Sequence, residues 1–210
     1  MPKNNINKVP IPTLERLATY LTALLDLSER RVETISSNDI EHLTGINAAQ
    51  FRKDLSYFGE FGRPGIGYDV NDLRARVAKI LKVERSQPVI LVGAGNLGSA
   101  LVGFPGLSEQ NFHIVAVFDN NYNKIGRRLW DLEINDIGDI AKVNREIQAR
   151  IGIIAVPASA GQDVANKLVN AGVKAILNFA PTTLKVPDDV TVRNVDFVQE
   201  LAVLAFHLSE

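Results

Sequence analysis

Residues 88–101, PVILVGAGNLGSAL, constrain the fold more than any other stretch. Pro88 precedes an apolar run, Val89-Ile90-Leu91-Val92, of the kind that lies buried on both faces in a parallel sheet. The run ends in Gly93-Ala94-Gly95-Asn96-Leu97-Gly98, the glycine spacing of a dinucleotide-binding turn. In such a turn Gly93 permits the tight reversal, Gly95 leaves bare backbone for a pyrophosphate, and Gly98 lets the next helix pack closely on the sheet. Leu97, Ala100, Leu101 and Phe104 recur at helical spacing, so one helix is expected through Phe104, its N-terminal amides aimed at an anion.

A second apolar run, 112–118, ends at Asp119, about twenty residues beyond Gly98, where the motif places an acid. A carboxylate there accepts both ribose hydroxyls and repels a 2′-phosphate, which selects NAD(H) over NADP(H). Arg127 and Arg128 weigh slightly the other way, because a nearby arginine suits that phosphate. If the glycines served packing alone, a second strand and an acid in register would be unexplained. Residues 120–130 read as a polar loop, and the single tryptophan, Trp130, as a core anchor. Residues 136–149 read as a helix, 151–156 as a strand ending at Pro157, and Ser159 as the start of a helix stopped by Gly172. Strands at 173–178 and 191–195 follow. Pro157, Asn178, Phe179, Ala180 and Pro181 then fall at carboxyl ends of strands, where ligands sit in open α/β sheets.

Upstream, residues 1–10 read as a loose arm, and Thr13 as the cap of a helix to about Arg30. Ser36 or Ser37 caps a short helix to Thr44, Gly45 interrupts, and Asn47 caps a third helix over 48–58 that buries Phe51, Leu55 and Phe58. Its other face carries Gln50, Arg52, Lys53, Ser56 and Tyr57. Two short helices around a glycine turn are the helix-turn-helix layout. Residues 59–68 alternate glycine with aromatic or apolar residues and read as a β-hairpin wing with Arg63 at its tip, next to Gly65. Asn71 is expected to cap a further helix bearing Leu73, Val77, Ile80 and Leu81, and 84–87 to link it to the central strand.

Net charge is −1 over 210 residues, so no bulk basicity marks a nucleic-acid binder. Residues 1–85 hold 13 basic and 11 acidic side chains, a net of only +2. The placement of Arg52, Lys53 and Arg63 fits DNA contact, and it fits a helical cap with solvated charges equally. The absence of cysteine excludes disulfides and thiolate chemistry. A polar N-terminal stretch and no membrane-length apolar run lead to the expectation of a cytoplasmic protein with no membrane partner. The last helix, 197–208, opens at Asp196 and is apolar on several sides, so it covers either a partner subunit or its own sheet.

The segments FRKDLSYFGEFGRPGIGY (51–68), VGAGNLGSAL (92–101), FDNNYNKIG (118–126), VPASAGQDVANKLVNAGVKAILNFAP (156–181) and VDFVQEL (195–201) together resemble the Rex family of redox-sensing transcriptional repressors, over nearly the whole chain. The resemblance implies an α/β chain in three parts: a winged helix-turn-helix DNA-binding domain (1–85), a Rossmann NAD(H)-binding domain (86–195) and a swapped C-terminal dimerisation helix (196–210). It implies a homodimer on palindromic operator DNA that NADH releases, with Arg52, Lys53, Ser56 and the wing at Arg63 facing DNA. It also implies a switching contact of Arg16, Phe104 and Asp196, the last from the partner. At Phe104 the family's tyrosine is replaced, so its hydroxyl is missing. The wing carries Arg63-Pro64 where the family more often has two polar or basic residues. An NAD-dependent oxidoreductase and a coenzyme A-binding module are the alternatives. The first lacks a substrate domain and has only His42, His113 and His207, scattered; the second would set a ribose 3′-phosphate against Asp119.

Overall fold

The computed structural model describes residues 9–62 and 65–208, so Arg63, Pro64 and most of the N-terminal arm lie outside the described residues. Contacts divide the chain after Arg85 into two compact units.

In the first unit, α1 (Ile11–Glu29) starts after Pro10, with Pro12 in the first turn, where a missing N–H is harmless. Thr13 is not the cap: it is buried, and its hydroxyl donates to Asp54. The strand β1 (Thr34–Ile35) leads into α2 (Ser37–Thr44), which opens with a reciprocal cap between Ser36 and Asp39. Gly45, at φ +70°, ends α2, and the Asn47 side chain accepts the Ala49 N–H at the start of α3 (Ala48–Ser56). The tip of the expected hairpin over 59–68, Arg63-Pro64, lies outside the described residues; its glycines at 59, 62, 65 and 67 all have positive φ, and Gly67 forms a β-bridge. After it, β2 (Tyr68–Asp69) pairs antiparallel with β1. Asp69, not Asn71, caps α4 (Val70–Leu81); the Asn71 side chain takes the Ser28 hydroxyl.

Leu17, Tyr20 and Leu24 of α1 meet Ile40, Phe51, Leu55, Leu73 and Val77 in one core. Within it lies a carboxylate, Asp54 of α3, at 0% exposure. Arg16 holds both its oxygens, Nε to Oδ2 at 2.6 Å and Nη2 to Oδ1 at 2.7 Å. Tyr20, Thr13 and Gln50 donate at 3.0, 3.2 and 2.8 Å. A charge out of water is tolerated when paired and fully hydrogen-bonded, and this one ties α1 to α3.

The second unit is a seven-stranded sheet, and its order follows from the chain's crossing at the centre. After β3 (Gln87–Val92) come α5 (Asn96–Val102), α6 (Pro105–Glu109) and β4 (Phe112–Asp119). A two-residue turn then joins β5 (Arg128–Leu129) to β6 (Leu132–Asp136), and a 3-10 turn leads to α7 (Ile140–Ile147). The chain crosses over to β7 (Ile151–Ile154), α8 (Ala158–Asn170), β8 (Ala175–Asn178), β9 (Thr191–Asn194) and α9 (Phe197–Phe206). The order is β5-β6-β4-β3-β7-β8-β9, parallel throughout except β5. Alternate residues of β3 feed opposite cores, Ile90 and Val92 to one, Val89 and Leu91 to the other.

Three sequence expectations fail here. The helix expected through Phe104 stops at Val102, because Gly103 and Pro105 break it, and Phe104 is 57% exposed between α5 and α6. The loop expected over 120–130 contains β5 and leads into the β5–β6 hairpin. Trp130 sits at that hairpin's turn, mostly exposed, its indole N–H on the Ser99 carbonyl and its ring over Gly103.

Burial alone would raise the Asp54 pKa, but Arg16, Gln50 and Tyr20 hold it below the usual carboxylate range. Asp54→Asn therefore strands the Arg16 guanidinium and should cost about 3 kcal/mol in urea unfolding. The depressed carboxyl contributes its full stability above the unfolded carboxylate pKa of about 4 and loses it as pH falls through the lower folded value. Between those two values the wild type should lose stability more steeply with falling pH than the variant.

Candidate functional site

A cleft of about 480 Å³ opens at the carboxyl ends of β3, β4 and β7. This is where the strand order reverses, the usual ligand crevice of an open parallel sheet. Gly93, at φ +108°, has no room for a side chain: a Cβ would stand 2.2 Å from the Ala155 carbonyl after β7. A Cβ on Gly98 would stand 1.9 Å from the Gly93 carbonyl, so α5 packs directly on the turn. A Cβ on Gly95 would meet nothing within 4 Å. Its bare face is the cradle a phosphate needs, and the first-turn amides of α5 have no acceptor within their own helix.

Asp119, ending β4, is sheltered from solvent and fastens this turn. Its Oδ2 accepts the Ala94 N–H at 2.9 Å and the Lys124 ammonium at 3.1 Å; its Oδ1 accepts the Asn121 N–H at 2.9 Å. Burial pushes its pKa up, but the two amides and Lys124 outweigh that and hold it below the usual range. Three of the four lone-pair directions are thus filled from within the protein, which leaves room for one ribose hydroxyl rather than the expected two.

Of the residues expected at this site, Gly93, Gly95, Asp119 and Pro157 line the cleft. Ala94 serves through its amide, while Asn96, Leu97 and Gly98 form the first turn of α5. Asn178 does not reach the cleft. It is 1% exposed, its amide bonds the Ala180 and Thr182 carbonyls and the Asn194 side chain, and it thereby shapes the loop after β8. Ala180 is buried, and Phe179 packs on the sheet with its ring 6.0 Å from Phe197. Phe104 borders a separate cavity of about 190 Å³; Phe179, Ala180 and Pro181 do not line the cleft. Sequence reasoning missed Lys124, Ser159, Asp163 and Lys167, all on the cleft wall. The signal for Lys124 was its place five residues after Asp119, within one tight turn.

In the first unit, Lys53, Ser56 and Tyr57 are exposed on and after α3. Arg52 is exposed but reaches back to the Ser37 hydroxyl at 2.6 Å, bridging α3 to α2. Gln50 is turned onto Asp54, and the Ser56 hydroxyl onto the Lys53 carbonyl. Gly65 is exposed, and Arg63 lies outside the described residues. Arg16 is engaged with Asp54, and Asp196 accepts the Val198 and Gln199 amides as the cap of α9. The large apolar side chains of α9, from Phe197 to Phe206, are each more than half exposed, so its own sheet does not bury them.

These glycines separate folding from ligand space. Gly98→Ala should lower the melting temperature of the second unit by several degrees, about 1–3 kcal/mol of overpacking. Gly95→Ala should leave it within about 0.5 kcal/mol of wild type.

Two family models match. One described as "CoA binding domain" covers residues 84–182, and one described as "Putative DNA-binding protein N-terminus" covers residues 8–56. The redox-sensing transcriptional repressor Rex of Desulforamulus reducens is 48% identical over 202 residues, 96% of each chain. That of Carboxydothermus hydrogenoformans is 49% identical over 201 residues, covering 96% of this chain and 97% of the relative. The crystal structure of RSP with β-NAD+ and operator DNA matches with a TM-score of 0.89 at 36% identity, over 95% of this chain and 92% of that one. RSP with β-NADH matches with a TM-score of 0.86 at 34% identity, over 96% and 94%. With near-complete coverage at this identity, the chain belongs to the Rex family of redox-sensing transcriptional repressors.

Proposed function

We propose that this protein is a transcriptional repressor that binds palindromic operator DNA as a homodimer and is released by NADH, so that it reads the NADH/NAD+ ratio. The observation that carries this reading is a Rossmann cleft with a bare glycine turn and an acid at the ribose position, in one chain with a helix-turn-helix unit. The 480 Å³ cleft, the open face of Gly95 and the remaining acceptor of Asp119 fit a dinucleotide. Coenzyme A fits less well, since its ribose phosphate would face Asp119. The family's repressors, with no enzymatic name among the close relatives, support a sensor rather than a catalyst. Among the described residues no helix is long and apolar enough to cross a membrane, in keeping with a protein that works at the bacterial chromosome in the cytoplasm.

Gly93 to Gly98 and Asp119 would hold the adenosine diphosphate half, and Pro157 the wall opposite. Phe104, with Asn178, Phe179, Ala180 and Pro181 after β8, would border the nicotinamide. The ring supplies the signal: it is neutral when reduced and cationic when oxidised. Apolar walls disfavour the cation, because stripping water from a charge is costly. Lys53, Ser56, Tyr57 and Arg52, with Gln50 shaping their helix and the wing at Arg63 and Gly65, would contact DNA. The exposed apolar face of α9 would bury against a second copy, bringing Asp196 of that copy toward Arg16, whose Nη1 carries no bond to Asp54. A shift of the two heads away from the roughly 34 Å half-site spacing would then break binding.

In a gel-shift on a palindromic site, NADH should weaken operator binding by about 5- to 150-fold while NAD+ leaves it nearly unchanged. Coenzyme A should have no effect, and NADH should not be consumed. Equal responses to the two nucleotides would overturn the reading.

A further inference from the structure

The sequence offered Arg127 and Arg128 as the cations nearest a ribose phosphate, and the structure replaces them. Neither lines the cleft; the Arg128 guanidinium is spent on the Asp131 carbonyl at the hairpin turn. The cation that the cleft wall sets beside Asp119 is Lys124, brought in by the tight turn in which its N–H bonds the Asn121 carbonyl. Its ammonium lies 3.1 Å from Asp119 Oδ2, with its side chain 37% exposed against 8% for the acid. The carboxylate is thus locked in place, while the ammonium has donors left over and access to a ligand.

We infer that Lys124 is a latent 2′-phosphate-binding residue held closed by Asp119, so that the Asp119–Lys124 pair, rather than Asp119 alone, sets the choice between NAD(H) and NADP(H). This rests on reading the cleft as the dinucleotide site. The charges on its wall balance: Asp119 with Lys124, and Asp163 with Lys167 at 2.5 Å. A 2′-phosphate therefore enters a field with no net attraction and meets a fixed carboxylate whose lysine is already engaged. Removing the negative charge leaves one uncompensated ammonium at the ribose, the arrangement that favours a phosphate. A lone ribose hydroxyl gains little from that ammonium, so the change is selective.

The test is equilibrium titration of NADH and NADPH, by nucleotide fluorescence, into wild type, Asp119→Ser, Lys124→Gln and the double variant, each checked by thermal unfolding. Asp119→Ser should raise the NADPH-to-NADH affinity ratio by roughly tenfold or more, and the double variant should lose that gain. An unchanged ratio in Asp119→Ser, or a gain that survives in the double variant, overturns the inference. Should Asp119→Ser fail to fold, Lys124→Gln alone decides. Its NADPH affinity should fall several-fold more than its NADH affinity, and equal losses overturn the inference. Failure of the cleft reading itself looks different: wild type would then bind neither NADH nor NADPH.

Discussion

The carboxylate of Asp119 is where strand, turn and ligand space meet. It ends β4, yet its strongest ties run to the turn after β3, through the Ala94 amide, and to its own following loop, through Asn121 and Lys124. A glycine turn is soft by composition, since each glycine surrenders much backbone entropy on folding. Fixing it requires contacts from outside, and here one buried acid supplies them while Gly93 and Gly98 close the gaps in which any side chain would collide. The shape of the cleft is therefore a consequence of charge placement as much as of sheet topology.

The first unit solves its own problem in the same way. Recognition by a helix requires that the helix keep one orientation, and α3 is short. Asp54 locks it to α1 through Arg16, Tyr20 and Thr13, and the same carboxylate turns Gln50 inward. Arg52 adds a second tie to α2. The side chains left exposed, Lys53 and Tyr57 among them, project from a helix whose rotation is already decided. Such rigid supports make small displacements of a whole unit consequential, because the unit cannot absorb them internally.

The parallel strands were legible because strands buried on both faces are continuous apolar runs, and the glycine turn because its spacing has few other uses. Asp196 as the cap of α9 and Asn47 as the cap of α3 were legible for a local reason: a cap bonds amides two or three residues away. The hairpin at Arg128 to Glu133 was not, since its edge strand is only Arg128-Leu129, too short for alternation to show. Nor was Asp54, whose partners on α1 lie 34 to 41 residues away, so that a carboxylate on an apolar helix face reads as solvent-exposed until the fold brings the arginine to it. The place of Asn178 at a strand end suggests a ligand, and what the sequence did not show is that its own amide shapes the loop it closes. Lys124 was passed over for two nearby arginines because sequence distance does not reveal which cation a turn carries inward.

That nucleotide and operator DNA act on one coupled system is tested most directly from the ligand's side. NADH and NAD+ affinities are measured by titration calorimetry on free protein and on protein saturated with operator DNA. Because coupling is reciprocal, operator should weaken NADH binding by the same factor by which NADH weakens operator binding, and should leave NAD+ binding nearly unchanged. An NADH affinity indifferent to operator would contradict the coupling, whatever the two sites bind separately.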